Sequence, residues 1–420
     1  MFHPLHPLCD GALMGRLLLM ALLAGLPGKA TTISTSLNVK PGGGVLVDIP
    51  AATPGTSLVD NKGATITCSR CTMDTATYID GAGLLQTATR AQCRVEANGL
   101  LVEPQATNRV LHSSTEPTWS TVGGGGTIVT GDTNCPLDPG GYRMTSVTWA
   151  DHGSHGIYSV ASGGTSHQAS VSVYVALYDS DTPTVIDLFA TGDANVELKS
   201  MTLSATPTRL YGTSYYYSGG FFNSPYLAAN AGATTCLRFA ESKVQYEIDQ
   251  PYTTSYIPTA GSAVTRPVDA ISLPNKIPSG VDYYIGLTAK PENGRAWTQA
   301  ANTNVFSVGT LAAANSASLY EDHAGNIVFN VLDAASGANA ITYAHSFAAG
   351  SGHRLVAGWR AGAPVLYVDG VGVGTVSGAG TGVATMPATV YLGSGNASGT
   401  GAFGGNLKAI KICTQLAKCL

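Results

Sequence analysis

Charge is scarce in this chain. Its 420 residues hold 22 Lys+Arg and 26 Asp+Glu, a charged fraction of 11% and a formal net charge of -4, against roughly 25% charged residues in an average soluble domain. The Lys and Arg are spread singly, whereas a surface that reads phosphates gathers them on one face, so no nucleic-acid partner is expected. Long apolar runs are missing too. The stretch LLLMALLAGL from Leu17 to Leu26 is shorter than the ~20 residues a spanning helix needs, and no later segment replaces it, so no membrane span is expected. No segment sustains a 3.6-residue apolar period, which removes helical bundles and coiled coils. A G-x-S-x-G nucleophile elbow with partners is not evident, and no glycine-rich loop lies between a strand and a helix with a Lys behind it, which excludes phosphate-loop enzymes.

What is present is turn chemistry and strand patterning. Gly 51 and Pro 21 accompany 44% hydrophobic residues and Tyr 19, the mixture of a protein made of many short strands. HQASVSVYVALYD (His167 to Asp179) alternates apolar and small polar residues at a period of two, and NVELKSMTLSATPTRLYGTSYYY and TTCLRFAESKVQYEID each give two more such runs. VGGGGT, DPGG, ASGG and SGG supply turns where glycine takes positive φ without strain. The fold class expected is all-β: two β-sandwich (jelly-roll) domains after a short β-rich leader segment.

An export signal is expected at 1–30. Arg16 precedes the apolar run and PGKA ends in small residues at Ala30, while Met1 to Leu13 has no Lys or Arg, so Met14 is an alternative start. Secretion or another extracytoplasmic location (periplasm or cell surface) follows, and with it an oxidising compartment. Cys9 falls in the signal, and the other cysteines, Cys68, Cys71, Cys93, Cys135, Cys236, Cys413 and Cys419, are disulfide candidates before they are metal ligands. The Cys68-Ser-Arg-Cys71 spacing suits a metal or redox site, but no second C-x-x-C or paired His stands nearby. Cys413 with Cys419 is a candidate staple of the C-terminal tail and Cys135 with Cys236 a candidate tie across the β-rich region between them. One thiol is left over or pairs with another chain, and the connectivity stays open.

Two linker-like places divide the rest. IPTAGSAVTRPVD (Ile257 to Asp269) mixes Pro, Gly, Ser and Ala between patterned regions, and a softer transition lies near EPQATNRVLHSS. The expected division is a leader at 31–110, a strand-rich domain at 111–262 and a sandwich at 263–420. In HRLVAGWRAGAPVLYVDGVGVGT a strand through Leu355 to Trp359 turns at RAGAP into VLYVDGVGV, with Asp369-Gly370 in a second tight turn. This hairpin resembles the central one of laminin-G-like and related concanavalin-A-type lectin-glucanase sandwiches. DYYIGLTAKP, SLYEDHAGNIVFNV and TVYLGSGNASGTGAFGGNLKAIKIC are similar to the opening, following and closing strands of such domains. Upstream, TATYIDGAGLLQTATRAQCRVEANGLLVEPQATNRVLHSS and SYIPTAGSAVTR resemble the arrangement of phage tail and head-associated structural proteins and their exported relatives, which implies a carbohydrate-binding-type jelly roll at 111–262 between the leader and a laminin-G-like concanavalin-type sandwich at 263–420. The cysteines and the signal depart from that pattern. Within the sandwich, Trp359, Tyr367 and Asp369 are read as shaping a core and a turn.

Catalytic constellations are thin. YEIDQPYTT offers Glu247 and Asp249 but no third carboxylate, since Tyr252 stands at the E-x-D-x-x-E spacing and Thr253 and Thr254 follow it, so it is read as the last jelly-roll strand. Glu321 to His323 reads as a solvated polar turn. His152 and His155 lie close to Asp151 and Tyr158, the raw material of a lyase base and acid. Binding has more to draw on. YGTSYYYSGGFFNSPY gathers aromatic rings around glycines, and sugar rings stack on such faces while amides meet their hydroxyls. Candidate ligand contacts are Trp149, Tyr158, Tyr215, Tyr216, Tyr217, Phe222 and Asn223, with no catalytic residue assigned. Structural calcium is the one cofactor kept open: Asp179, Asp181, Asp193, Asn195 and Glu197 supply oxygens, without an EF-hand spacing. The function expected is an exported, non-catalytic protein recognising a polysaccharide, cell-surface glycan or surface partner. A polysaccharide-degrading enzyme and a self-associating structural component derived from a phage tail protein are the alternatives.

Overall fold

Period-two alternation makes strands, and the computed structural model is built of them: the one helix among the described residues is the single turn Leu416–Cys419. The structure describes residues 45–49, 66–69, 76–79, 85–88, 92–111, the strands and nearest neighbours between 119 and 248, and 252–420 apart from 293, 294, 300 and 379. The all-β class holds, and every strand pair is antiparallel apart from one isolated bridge.

The C-terminal region, with strands of the leader, forms two eight-stranded sheets around one apolar core. The first sheet runs from Val371–Gly372 through Ala363–Val368, His353–Arg360 and Tyr283–Pro291 to Gly405–Cys413 and beyond. The second runs from Ala270–Pro274 through Thr389–Leu392, Thr303–Val308, Ser316–Glu321, Asn326–Leu332 and Ala338–Ala344 to Thr375–Gly378. Ile285, Leu287, Phe306, Phe329, Leu355 and Leu392, each 0% exposed, fill the space between them. The expected hairpin is there: Leu355 faces Val368 and Trp359 faces Pro364. Asp369 at φ 50° and Gly370 at φ 85° supply the paired positive φ of a type I′ turn. Trp359 packs on the core and Tyr367 on a cluster around Tyr284 and Val356, as their reading as structural residues expects.

The leader contributes strands to both sheets. Val45–Ile49 pairs with Gly405–Cys413, Gly99–Val102 pairs with the other end of that strand, and Thr67–Ser69 pairs with Ala270–Pro274. Val47, Ile49, Ile66, Val95, Leu100 and Val102 all enter the shared core. Segments 31–110 and 263–420 thus bury one hydrophobic surface together, with 111–262 inserted between them. In that insertion a five-stranded sheet is ordered Val196–Thr202, Val185–Gly192, Phe222–Ala229, Gly156–Ser159, Trp119–Val122. Two three-stranded sheets, centred on Gln168–Val175 and Thr145–Trp149, accompany it.

No cysteine is free among the described residues. Cys413 and Cys419 are bonded, as the tail-staple expectation has it, and so are Cys68 and Cys93, 25 residues apart. Cys135 is disulfide-bonded as well. Cys71 and the side chain of Cys236 lie outside the described residues. One sequence expectation is corrected. Glu321 is not part of a solvated turn: it ends the Ser316–Glu321 strand at 1% exposure, with its Oε1 3.3 Å from His345 Nε2. Glu321 is still within the strand, paired opposite Ile327, so the pleat and not the following turn sets its side chain.

Candidate functional site

A chain this poor in charge nevertheless buries charge where its segments meet. Arg94, Glu103 and Arg266 have side chains at 0% exposure and Asp269 at 3%. Arg94 donates to Glu103 at 2.6 Å, to Ser255 Oγ at 2.6 Å and to the Thr77 carbonyl at 2.9 Å, and it also pairs with Asp269. Arg266 pairs with Glu103 and donates to Ser255 Oγ at 2.7 Å, while the Ser255 N–H donates to Glu103 at 2.6 Å. Burial alone would raise the Glu103 carboxyl, but Arg266 and Arg94 outweigh it and hold it well below the usual carboxylate range. Two cations against two anions leave the joint neutral. Such a cluster tolerates burial only when every charge is paired, and its bonds join the leader (Arg94, Glu103), the insertion (Ser255) and the linker (Arg266, Asp269). The linker is correspondingly ordered: Val264–Arg266 pairs with Ala106–Asn108. Glu247 belongs here too. It is 0% exposed and accepts from Thr254 N–H at 3.0 Å and Thr254 Oγ1 at 2.7 Å. Burial pushes its carboxyl up despite those bonds, which fits a structural residue at the last strand of the insertion.

An open site lies at one end of the second sheet. The turn between Thr303–Val308 and Ser316–Glu321 and the segment leading into Thr389–Leu392 enclose a cavity of about 230 Å³. Gly309 sets its width. At φ +76° it turns the chain where a Cβ would stand 2.6 Å from Pro387 Cγ, and its N–H donates to the Thr389 carbonyl at 2.9 Å. Asn315, at φ 55°, takes the left-handed conformation that asparagine tolerates. Its Oδ1 accepts from Ala384 and Thr385 N–H at 3.1 and 3.4 Å, tying the turn to the opposite loop. The walls are small or polar: Thr310, Asn315, Ser316 and Thr389 bring hydroxyls and an amide, and half-buried Tyr391 offers a ring. No charged residue lines it. The cleft therefore suits a neutral, hydroxyl-rich ligand, and hydrolysis by paired carboxyls has no acid or base here. Its size is below the ~300–1,000 Å³ of clefts for drug-sized molecules, which limits the occupant to about one ring or a chain end.

The residues singled out from sequence lie elsewhere. Tyr158, opposite Tyr226, and Phe222, opposite Gly192, share the five-stranded sheet, and Asn223 follows Phe222 on the same strand. Trp149 is on the Thr145–Trp149 strand opposite Gly126, and Tyr215 ends Thr208–Tyr215 opposite Gln168, each in a different three-stranded sheet. The backbone thus distributes them over three sheets. Their side chains, and all of Tyr216, Tyr217, His152, His155, Asp179, Asp181, Asp193 and Asn195, lie outside the described residues. Among the described residues no three His, Cys, Asp or Glu converge as metal ligands, and no helix is long and apolar enough to cross a membrane. The cleft was missed because its sequence, GTLAAANS followed at a distance by PATVY, holds one aromatic and no charge. The only signal was a Gly-bounded turn rich in small residues.

No family model and no curated protein matches this sequence. Among solved structures the chain is similar to the mouse laminin α1 chain, domains LG4-5, at 12% identity over 76% of this chain and 91% of that one, with a TM-score of 0.27. It is likewise similar to the N-terminal CBM22-1-CBM22-2 tandem domain of Paenibacillus barcinonensis Xyn10C, at 12% identity over 75% of this chain and 100% of that one, TM-score 0.25. A native heptameric SAP-like pentraxin from Limulus polyphemus aligns at 15% identity over 33% of this chain and 63% of its own, TM-score 0.23, so the match spans under two thirds of the pentraxin.

Proposed function

We propose that this is an exported, carbohydrate-recognising β-protein whose C-terminal sandwich holds a single sugar ring or glycan end in the cleft between the Gly309–Ser316 turn and Tyr391. The observation that carries this is the lining: an aromatic face beside hydroxyl and amide groups, with no formal charge. Sugar CH faces pack on rings and their hydroxyls exchange hydrogen bonds with such groups. The disulfides Cys68–Cys93 and Cys413–Cys419 support a life outside the reducing cytosol. Trp149, Tyr158, Tyr215, Tyr216, Tyr217, Phe222 and Asn223 stand as a second proposed contact region on the insertion, and calcium as a proposed structural ion.

The test is retention of the full chain on a polysaccharide panel, with calcium and then with chelator, recording new chain ends in the same samples. Retention is expected without new glycosidic chain ends, and Tyr391→Ala should weaken it about tenfold, the worth of one ring stack. Retention unchanged in Tyr391→Ala and in Asn315→Ala would remove the cleft from the account. A polymer-free result across the panel would remove the glycan.

A further inference from the structure

The sequence Gly350-Ser351-Gly352-His353 feeds the strand His353–Arg360, whose hairpin partner Ala363–Val368 runs directly into the turn residue Asp369. Register does the rest. With Leu355 opposite Val368, the tight turn sets Asp369 beside the start of the first strand. There its N–H donates to the Arg354 carbonyl and its Oδ1 accepts from the Arg354 N–H, both at 2.8 Å. The other carboxylate oxygen, Oδ2, lies 2.8 Å from His353 Nδ1, and His353 Nε2 lies 2.8 Å from Ser351 Oγ. The ring plane is held from both sides of the chemistry. Phe347 stacks on His353 at 3.7 Å and 14°, Trp297 meets it edge-on at 5.7 Å, and Trp297 Nε1 donates to the Ser351 carbonyl at 2.9 Å. Solvent reaches the group, with His353 at 19% and Asp369 at 53% side-chain exposure. Partial burial draws the Asp369 carboxyl upward, but the bonds from His353 and Arg354 outweigh it and hold it below the usual range, so it is an anion at neutral pH.

We propose that Ser351, His353 and Asp369 act as nucleophile, base and positioning carboxylate in the cleavage of carboxylic esters, an activity independent of the glycan cleft. Asp369 accepts the Nδ1–H of His353, which leaves Nε2 unprotonated and facing the hydroxyl. Ser351 Oγ forms a bond to the ester carbonyl carbon as its proton passes to Nε2. The C–O bond to the alkoxy group then breaks and the alcohol leaves with that proton. Water repeats the sequence on the acyl-serine: its proton goes to Nε2, the carboxylic acid departs, and Ser351 recovers its hydrogen. The Ser351 hydroxyl also lies 2.6 Å from the Ala348 carbonyl. One O–H rotor therefore chooses between a resting bond to Ala348 and the reacting bond to His353.

The full chain is incubated with a fluorophosphonate probe, the adduct is mapped by peptide analysis, and p-nitrophenyl acetate turnover is followed in parallel. A single adduct on Ser351 is expected, absent in Ser351→Ala and forming about 10²-fold or more slowly in His353→Gln, with Asp369→Asn slowed as well and the melting temperature of Ser351→Ala unchanged. Ser351→Cys leaves base and carboxylate intact, and its thiol should react with iodoacetamide about tenfold faster than an exposed thiol at neutral pH. Ser351 unlabelled, labelling equally fast without His353, ester turnover surviving Ser351→Ala, or an ordinary thiol rate in Ser351→Cys would each overturn the proposal.

Discussion

Arg266 and Glu103 show how single residues carry the assembly. Each is fully buried, and each answers the other across 163 residues of sequence. Removing one partner strands a charge in a low-dielectric interior, so Arg266→Ala is expected to cost about 3–5 kcal/mol, read as a lowered urea midpoint with unchanged slope. Replacing the partners together, Arg94→Met with Arg266→Met and Glu103→Leu with Asp269→Leu, should recover much of that loss, because no uncompensated charge then remains. Recovery no better than in the single variant would mean that the joint depends on these bonds for its geometry. At this scale little was legible. Arg94 and Glu96 in QCRVEANG drew no reading from the sequence, because the partner of a buried charge is chosen by packing between distant segments. Asp369 was legible only as a turn aspartate and Ser351 drew no reading, since the hydrogen bonds that join them through His353 exist only once the hairpin closes.

Among the elements, the hairpin from His353 to Gly372 was readable because everything that fixes it is local: alternation, a short turn and a positive-φ pair. The leader strands were not. Val45–Ile49 and Gly99–Val102 meet their partner strand only after the whole insertion has been spanned, and the Asn406 bond to Glu96 joins residues 310 apart. A fragment of 263–420 should therefore fail to fold alone, giving a broad, dye-binding melt, whereas 45–420 melts cooperatively. A cooperative melt of the short fragment would show that the leader decorates a finished sandwich. Opening Cys68–Cys93 by the double change to Ala should cost about 3–4 kcal/mol, from the chain entropy of the 25-residue loop it closes, measured in denaturant. That disulfide ties the leader to itself on the edge of the second sheet, where Cys68 faces Ile271.

For the molecule as a whole, acid should act in two opposed stages. Glu96, Glu247 and Glu292 all sit above the usual carboxylate range, chiefly through burial, with the neighbouring charges of Glu103 and Glu96 adding to the shift at Glu292. A carboxyl raised on folding favours the folded state fully below its unfolded value of about 4.3 and loses that contribution as pH rises through its folded value. Glu103 has the opposite sign: held low, it contributes above about pH 4.3 and that contribution is lost as pH falls below it. The melting temperature is therefore expected to rise on acidifying from neutral pH toward about 4.3 and to fall below it. Glu247→Gln should flatten the upper limb. A melting temperature that falls steadily from neutral pH would contradict this assignment.

Composition and local pattern by themselves determined that the chain is all-β and that its Asp369-Gly370 hairpin forms, and they made Cys413 and Cys419 candidates for a staple, because each of these depends on residues near one another in sequence. Only the tertiary structure decided which strands complete the two large sheets, where the few charges are buried, how Gly309 and Pro387 frame a cleft, and that a serine, a histidine and an aspartate share one line of hydrogen bonds. The physical reason is the same in each case. Alternation tells a strand which face to bury but not against which distant strand, and a polar group's partner is chosen by the packing that brings the two together.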